Sequence, residues 1–409
     1  MINQYYKSTL ITKTMKKVFT ICAAAAMVVA CAKDAPEETA TSVVAPVENG
    51  EQMSVMFNSN VTASVQTKAQ GGVDAWNKGQ TLYIYGFQRQ ASDINYYTAV
   101  PFINNVAASS PAEGVAGNAI DVLDVDGKPF YYLSNYTYDF YGYYIDDLIA
   151  QPVKKLDGIY LNLNLTGGED VMLAKADPAT DVQKAKDAGV FKGEDTWQDG
   201  YAYSAYAARR GVQPSLTFKH QLVRFTFQIT SGTNFETVGD PEKNLYIKGL
   251  SMSARNAAEL CVAGKNTGIK ATSNDLAELQ LRSSVNGELV DMKVYEVPSV
   301  DATIEEGSNV IGESLMVIPN DTPANGAVDS YSMSLVMEQA GKTITYPVDL
   351  KFSSVNGAPA GQTQFTAGYS YRVTIKVYGL EKVELSAELE PWLPGGNIEI
   401  NTDDAPQIF

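Results

Sequence analysis

Residues that could carry out catalysis are scarce in this chain. Its 409 residues include one histidine, His220, and three cysteines, Cys22, Cys31 and Cys261. A zinc site needs several His, Cys or carboxylate ligands, and a Ser–His–Asp triad or a Cys–His pair would have to use His220. We interpret His220 as a partly buried histidine satisfied by a backbone carbonyl, because no activating partner is visible for it. The composition therefore predicts no catalysis, no cofactor and no metal site.

Pairs of carboxylates are the remaining candidates for catalysis, as in a glycosidase. Asp146-Asp147 and Glu305-Glu306 are adjacent in the sequence. Neighbouring side chains of a strand point to opposite faces, so we interpret these acids as solvated surface residues. A hydrolase is the hypothesis that we favour least.

The charge balance excludes several kinds of partner. Lys and Arg number 31 against 47 Asp and Glu, which gives a formal net charge of −16. Nucleic acid requires a clustered basic surface, so it is not an expected partner, and the same reasoning excludes electrostatic attachment to an anionic membrane. Apolar residues make up 45% and charged residues 19%, as in globular proteins, and the length suggests more than one domain.

The start of the chain has the pattern of a bacterial lipoprotein signal. A pair of lysines precedes the apolar run Val18–Ala30, which is too short to cross a membrane and ends in Val-Val-Ala before Cys31. This ending resembles a lipobox. We predict a signal peptide at 1–30 and lipid attached to the Cys31 thiol, which would anchor the protein. Residues 31–52 are rich in Pro, Ala and acids and are predicted to be a flexible tether.

Past residue 52 the dominant pattern is that of β-strands. Apolar side chains recur with a period of two, and Gly, Asn and Asp interrupt the runs. Asp126-Gly127 predicts a hairpin turn, and the acids before it lack the ligand spacing of an EF-hand. Helical pattern is confined to short stretches at Ala174–Ala188 and Asn274–Arg282. The expected fold class is all-β with minor helix.

The stretch Tyr136–Ile145 (YTYDFYGYYI) is aromatic at nearly every second position. We predict a strand packed under a second layer, because aromatic rings at strand positions are usually buried. The alternative is an open platform on which sugars stack, to which Trp76 or Trp197 could contribute. Under that alternative the protein is a monomeric surface glycan-binding lipoprotein.

The stretch Leu216–Ile229 changes the phase of its alternation in the middle. Phe218 and His220 share one parity, whereas Val223 and Phe225 share the other. A shift by one residue moves every side chain to the opposite face, so we predict a bulge or a bend between two sheets just after His220.

The last strongly alternating segment has one apolar and one acidic face. Its apolar row is Val383, Leu385, Ala387 and Leu389, and Ser386 and three glutamates occupy the positions between and after them. Such a strand could lie at the edge of its own sheet or enter a groove of a neighbouring molecule.

Several short motifs follow one another between residues 67 and 392. They are TKA at 67–69, WNKGQTL at 76–82, the aromatic strand at 140–145, DVMLA at 170–174, FKH at 218–220, and the closing segments 365–377 and 386–392. In this order, behind a lipobox, they resemble the fimbrillin family of lipoprotein pilins, the subunits of type V pili. The family usually has Asp where this chain has Gln80.

The resemblance implies two transthyretin-like β-sandwich domains, which we place at 53–235 and 236–409. It also implies export to the outer membrane and polymerisation by strand exchange in a cell-surface fimbrium. In that mechanism a protease cuts after a basic residue, here Lys68, and removes the N-terminal strand, here Met53–Ser64. The C-terminal strand of another subunit then fills the vacated groove by β-augmentation. The candidate donor residues are Val383, Leu385, Ala387, Leu389 and Trp392.

The leading hypothesis is therefore a fimbrial or cell-adhesion subunit without catalysis. Its expected partners are other subunits in a head-to-tail polymer and a receptor on a host or bacterial surface. Contact with the membrane is expected through the lipid on Cys31 alone.

Overall fold

The alternating segments of the sequence form β-strands, as predicted. The computed structural model describes residues 43–47, 52–62, 80–91, 93–109, 118–133, 135–146, 150–193, 197–232, 245–265, 267–270, 289–293, 302–303, 308–319, 330–378, 380 and 382–390. Over these residues the chain is mainly strand, with two α-helices, α1 (Pro178–Asp187) and α2 (Ala205–Arg209). The all-β class with minor helix is confirmed.

The strands of the described residues, in chain order, are β1 (Phe57–Thr62), β2 (Thr81–Gln88), β3 (Ile103–Ser109), β4 (Asn118–Ile120), β5 (Tyr138–Ile145), β6 (Val153–Lys154), β7 (Gly158–Asn164), β8 (Val171–Lys175), β9 (Ser215–His220), β10 (Val223–Ser231), β11 (Leu245–Arg255), β12 (Ala257–Gly264), β13 (Gly268–Lys270), β14 (Leu289–Lys293), β15 (Ala302–Thr303), β16 (Ser308–Val310), β17 (Leu315–Val317), β18 (Ser330–Gln339), β19 (Lys342–Lys351), β20 (Val355–Asn356), β21 (Ser370–Val377) and β22 (Val383–Glu390).

These strands form four sheets within the described part of the chain. The first has the order β3-β2-β5-β8-β9-β1-β4, and the second has the order β16-β10-β21-β22-β20, with β17 also paired to β10. The third is β14-β11-β18-β19, with β15 paired to β11, and the fourth is β13-β12-β7-β6. Most pairs are antiparallel, but β1–β9, β10–β21 and β20–β22 are parallel. The first and last strands of the described residues, β1 and β22, therefore lie in different sheets.

Two apolar cores fill the space between these elements. One core joins a face of the first sheet, including Phe57, Phe140 and Phe218, to side chains of the two helices. The other takes the opposite face of the same sheet, including Tyr85 and Tyr143, together with strands of the other sheets. The first sheet is therefore buried on both faces along its central strands.

The aromatic strand β5 is buried, as we predicted for Tyr136–Ile145. Tyr138 and Phe140 belong to one core, and Tyr141 and Tyr143 belong to the other. The ring of Tyr143 also stacks on Tyr83 of the neighbouring strand, with 5.0 Å between ring centroids. Because these rings face protein on both sides, the strand does not form an open platform for sugars.

The helices are short and have recognisable caps. The stretch Ala174–Ala188 contains α1 as predicted, and its first helical residue is a proline. The Asp177 carboxylate accepts a hydrogen bond from the Ala179 amide at 3.3 Å. Helix α2 is not predicted by the sequence pattern, and the predicted Asn274–Arg282 helix lies outside the described residues. Neither of the two described helices has the length and apolarity needed to span a membrane.

The phase change after His220 is a crossing between sheets. Strand β9 ends at His220 in the first sheet, and β10 begins at Val223 in the second sheet. Phe218 before the crossing and Phe225 after it are both fully buried. The inward-facing residues of β9 and those of β10 therefore pack into different apolar cores. The predicted bend is confirmed.

Strands from both sides of the predicted domain boundary share sheets. Strand β10 pairs with β21, and β7 pairs with β12. The core on the second face of the first sheet also takes side chains from both stretches. The division into 53–235 and 236–409 stays a prediction, and residues 233–244 lie outside the described residues.

The acids around Asp126 form a turn, as predicted. The Asp124 carboxylate accepts hydrogen bonds from the amides of Asp126 at 2.9 Å and Lys128 at 2.8 Å. Gly127 has φ of 75°, a value that glycine adopts without strain. The Asp124 carboxylate therefore stabilises the turn by accepting backbone hydrogen bonds.

The turn between β7 and β8 should make stability depend on acidic pH. The Glu169 carboxylate accepts hydrogen bonds from the Thr166 hydroxyl at 2.6 Å, the Thr166 amide at 2.9 Å and the Gly167 amide at 3.1 Å. Partial burial raises the pKa of Glu169, but these hydrogen bonds outweigh burial and place the pKa below its ordinary value of 4.5. A carboxyl with a lowered pKa stabilises the fold above its unfolded pKa, and this contribution is lost as the pH falls through the folded pKa.

We expect Glu169→Gln to lower the free energy of unfolding at neutral pH by about 0.5–1 kcal/mol, because a charged acceptor is replaced by a neutral one in a partly solvated turn. The variant should also lose less stability than the parent between pH 5 and pH 3. Urea unfolding at the two pH values measures both effects. Equal losses in parent and variant would contradict the prediction.

Candidate strand-exchange site

The first strand of the described residues, β1, lies inside the first sheet. On one side β1 pairs in parallel with β9, from Asn58 opposite Ser215 to Thr62 opposite Lys219. On the other side it pairs antiparallel with β4, which ends the sheet. Without β1, one edge of β9 would be open, and within the described residues β4 would have no pairing strand.

The residues at the start of β1 also contribute to the core. Val55 and Phe57 are 5% and 1% exposed. The Phe57 ring packs edge-on against Phe140, with 5.1 Å between centroids. The Val55 amide donates to the Phe130 carbonyl at 2.8 Å, and the Met53 carbonyl accepts from Tyr132 at 2.9 Å. Residues 53–62 thus fill an apolar groove that lies between β9 on one side and β4 with residues 130–132 on the other. Their backbone bonds to groups on both sides of this groove.

Residues 43–47 are also bonded to this part of the protein. The Val43 amide donates to the Arg89 carbonyl at 3.2 Å, and the Ala45 amide donates to the Asn135 carbonyl at 2.7 Å. Ala45 is buried. These residues fall within the predicted tether at 31–52, so we now restrict that prediction to the residues before Val43.

The walls of the groove are held by contacts that do not involve β1. The Asp181 carboxylate of α1 accepts hydrogen bonds from the Ser215 amide at 2.8 Å and the Tyr203 hydroxyl at 2.5 Å. Leu216 and Phe218 lie on β9, the strand that begins at Ser215, and both are fully buried. We expect β9 to keep its position when β1 is absent, because α1 and the core hold it from the other side.

The last described strand has the alternation that the sequence predicts. In β22, Val383 and Ala387 are buried, and Leu385 and Leu389 are half-buried. All eight residues pair antiparallel with β21, whereas only two pair with β20 on the other side. The apolar row therefore packs into its own molecule, in a strand that is close to the edge of its sheet.

The opposite face of β22 is acidic and meets basic residues. Arg372 of β21 lies 3.6 Å from Glu388, and Lys382 lies 2.7 Å from Glu384. Hydrogen bonds from Lys382 and then Tyr378 lower the pKa of the exposed Glu384 carboxyl. Such exposed pairs orient the strand but contribute little to stability.

The structure places some of the predicted site residues and leaves others undescribed. Val383, Leu385, Ala387 and Leu389 lie together on one face of β22. Cys31, Lys68 and Trp392 lie outside the described residues. The predicted removable strand, Met53–Ser64, contains β1 and the bonded segment that precedes it.

The structure gives His220 a carboxylate partner in addition to what the sequence indicated. The ring is buried, and Nδ1 lies 2.8 Å from the Asp170 carboxylate. The pair lies where the chain leaves the first sheet. Beside it, the backbone N–H of Gln221 donates to the Val171 carbonyl. A buried polar ring needs a partner, and here the carboxylate of Asp170, the residue just before β8, supplies one. Among the described residues, no group of His, Cys, Asp and Glu could hold a metal ion.

The tryptophans do not form an open sugar platform in the described residues. Trp197 is half-buried, stacks on Tyr206 with 6.1 Å between centroids, and donates its indole N–H to Asp199 at 3.1 Å. Trp76 lies outside the described residues. The aromatic features of the glycan-binding alternative are therefore buried or packed wherever they are described.

Sequence reasoning missed two polar side chains at the groove. Asp181 supports β9, and Gln213 contacts the backbone of the segment before β1. No local pattern marks either residue, because their partners are distant in the sequence.

The chain is similar to fimbrial and cell-adhesion proteins. A family model described as fimbrillin-like matches residues 67–392. No curated protein matches the chain by sequence. Among solved structures, a protein assigned to cell adhesion from Bacteroides uniformis ATCC 8492 is 15% identical, with 83% of this chain and 98% of that chain covered and a TM-score of 0.43. One assigned likewise from Bacteroides ovatus ATCC 8483 is 10% identical, with 85% and 100% covered and a TM-score of 0.45. Mfa2, the fimbrial anchor protein from Porphyromonas gingivalis, is 9% identical, with 83% and 98% covered and a TM-score of 0.34.

The family model carries the assignment, because it matches by sequence over most of the chain. The matched residues include every strand from β2 to β22. The family consists of fimbrial structural proteins and not of enzymes, in agreement with the expected lack of catalysis. The resemblance seen in the short motifs is therefore confirmed, and the chain belongs to the fimbrillin-like family.

Proposed function

We propose that this protein is a subunit of a cell-surface fimbrium, exported as a lipoprotein on Cys31 and assembled by exchange of strands between copies. Membership of the fimbrillin-like family supports the fimbrial role. The observation that carries the assembly mechanism is the position of β1. It is an inner strand of a sheet, yet it precedes Lys68 in the chain, so a single cut after Lys68 would separate it from the rest.

Loss of β1 would create a site that another strand can fill. Strand β9 would present an unpaired edge, and the Phe130 carbonyl and the Tyr132 amide would lose their partners. Phe140 would lose the ring that packs against it. Unpaired backbone groups and exposed apolar surface both cost free energy, and an extended alternating strand removes both costs at once.

Strand β22 of a second copy has the properties that this groove requires. It has eight residues, as many as the stretch 55–62, and its apolar residues recur at every second position. To enter a neighbour it would leave β21, and pairing in the groove would replace the lost hydrogen bonds. A head-to-tail contact of this kind uses different surfaces on the two copies and therefore extends into a filament.

The same cut would release the subunit from the membrane. Lipid on Cys31 would remain with the segment that ends at Lys68, which also contains β1. Uncleaved copies would stay anchored at the outer membrane with a filled groove, and cleaved copies would be free to polymerise. Maturation and assembly would in this way be coupled through one peptide bond.

The test is controlled cleavage of protein that lacks residues 1–30. We expect the uncut protein to be monomeric in size-exclusion chromatography. Limited trypsin treatment should cut after Lys68, as identified by mass spectrometry, and should then yield a ladder of oligomers. The matched control is the double variant Lys68→Gln and Lys78→Gln, which removes both trypsin sites between β1 and β2 and should stay monomeric under the same treatment. Cut protein that remains monomeric would argue against strand exchange.

A further inference from the structure

We infer that Gln213 is a main-chain clamp that captures the strand of a second copy when it enters the groove beside β9. This inference rests on the proposed function and deepens it, because it names the residue that sets where the incoming strand is held. It concerns the stretch just before β9, where β1 and the segment before it enter the sheet.

The side chain of Gln213 bridges two backbone groups of that segment. Its Oε1 accepts a hydrogen bond from the Met56 amide at 3.3 Å, and its Nε2 donates to the Ser54 carbonyl at 3.3 Å. The Tyr132 hydroxyl donates to the same Oε1 at 3.3 Å. An amide N–H can only donate and a carbonyl can only accept, so these partners fix the orientation of the Gln213 amide.

The register of the sheet explains why a side chain is used here. Asn58 lies opposite Ser215, so continuing the parallel ladder by two residues places Met56 opposite Gln213. The intervening residue on the β9 side is Pro214, which has no N–H to donate. The main-chain ladder cannot continue through it, and the Gln213 amide supplies one donor and one acceptor in its place.

The Gln213 side chain binds the backbone of the strand and not its side chains. Both contacts to the segment are with main-chain atoms, and the side chain of Met56 is 56% exposed. Any extended strand presents a carbonyl and an amide two residues apart along one edge. The same amide can therefore hold β22 of a second copy once β1 has been removed.

The test measures how much Gln213 contributes to holding the strand, first in the uncut protein and then during assembly of cut protein. Gln213→Ala removes both backbone contacts, and Gln213→Glu keeps the acceptor but places a carboxylate oxygen against the Ser54 carbonyl. The matched control is Gln221→Ala, since Gln221 is a glutamine just after β9 whose side chain bonds the Lys219 carbonyl of its own strand. Hydrogen–deuterium exchange of residues 52–57 is measured in uncut protein. The growth rate of oligomers is measured after the cut at Lys68 and after the cleaved segment has dissociated, so that the release of β1 does not enter the rate.

Both Gln213 variants should raise the exchange rate of the Met56 amide by about fivefold to tenfold and slow oligomer growth by a similar factor, whereas Gln221→Ala should change neither. Unchanged exchange would overturn the clamp. Faster exchange with normal oligomer growth would also overturn it, because the contact would then serve only the chain's own strand. If the parent itself fails to form oligomers after the cut, the proposed function fails and this inference falls with it.

Discussion

Replacing Phe57 by alanine should lower the free energy of unfolding by about 3–5 kcal/mol, because the ring is fully buried and its loss leaves a cavity. Phe57 is 1% exposed and packs edge-on against Phe140 in the core beside the helices. Urea unfolding of the uncut protein measures the loss. The neighbouring Met56→Ala is the matched control, since that side chain is 56% exposed and should cost less than about 0.5 kcal/mol.

Phe57→Ala should also weaken the binding of the β1 segment in its groove. After the cut at Lys68, the segment that contains β1 is held only by non-covalent contacts. Weakening them by this amount should speed its release by about a hundredfold to a thousandfold. Oligomers of Phe57→Ala should therefore appear much sooner after cleavage than those of the parent. If release and oligomer growth are unchanged while stability falls, Phe57 stabilises the fold but does not hold the strand in place.

An aspartate at position 387 should damage both the monomer and the polymer. Ala387 is 2% exposed and lies opposite Val373 in the middle of β22. A carboxylate there would be buried without a partner, and we expect the free energy of unfolding to fall by about 3–5 kcal/mol. Because Ala387 is also in the row proposed to enter a neighbour, cleaved protein should form no ladder.

Ser386→Asp is the matched control, because it introduces the same side chain one residue away on the exposed face, opposite Thr374. We expect a cost of about 0.5 kcal/mol from the nearby glutamates and normal oligomer growth. If Ala387→Asp does not fold, oligomer formation can be measured instead with Leu389→Asp, which lies at the half-buried end of the row. Normal oligomers from either apolar-row variant would exclude β22 as the donor strand.

Features set by local pattern could be predicted from the sequence. The alternation of residues 383–389 predicted β22, and the change of parity after His220 predicted the crossing from β9 to β10. In both cases the burial of every second side chain is encoded in consecutive residues. Helix α1 lies within Ala174–Ala188, where helix-forming residues predicted a short helix.

Features that depend on distant partners could not be predicted in the same way. His220 is bonded to Asp170, which is 50 residues away, and nothing near either residue identifies the other. The segment that contains β1 is bonded through Met56 to Gln213 across 157 residues, so its place inside a sheet follows only from the tertiary structure. The bonding of residues 43–47 was missed for the same reason, since their composition is that of a linker.

The most direct test of strand exchange identifies the strand that lies beside β9 before and after assembly. Lys219 is exposed and lies opposite Thr62, so a photo-crosslinking amino acid at position 219 can report on the neighbouring strand. Cleaved protein carrying this residue is mixed with an isotopically labelled copy and irradiated, and the crosslinked peptides are identified by mass spectrometry. We predict crosslinks within residues 52–68 of the same chain before cleavage and to residues 383–390 of the labelled copy in the oligomers. Oligomers whose crosslinks remain on residues 52–68, or fall on another surface of the labelled copy, would contradict strand exchange.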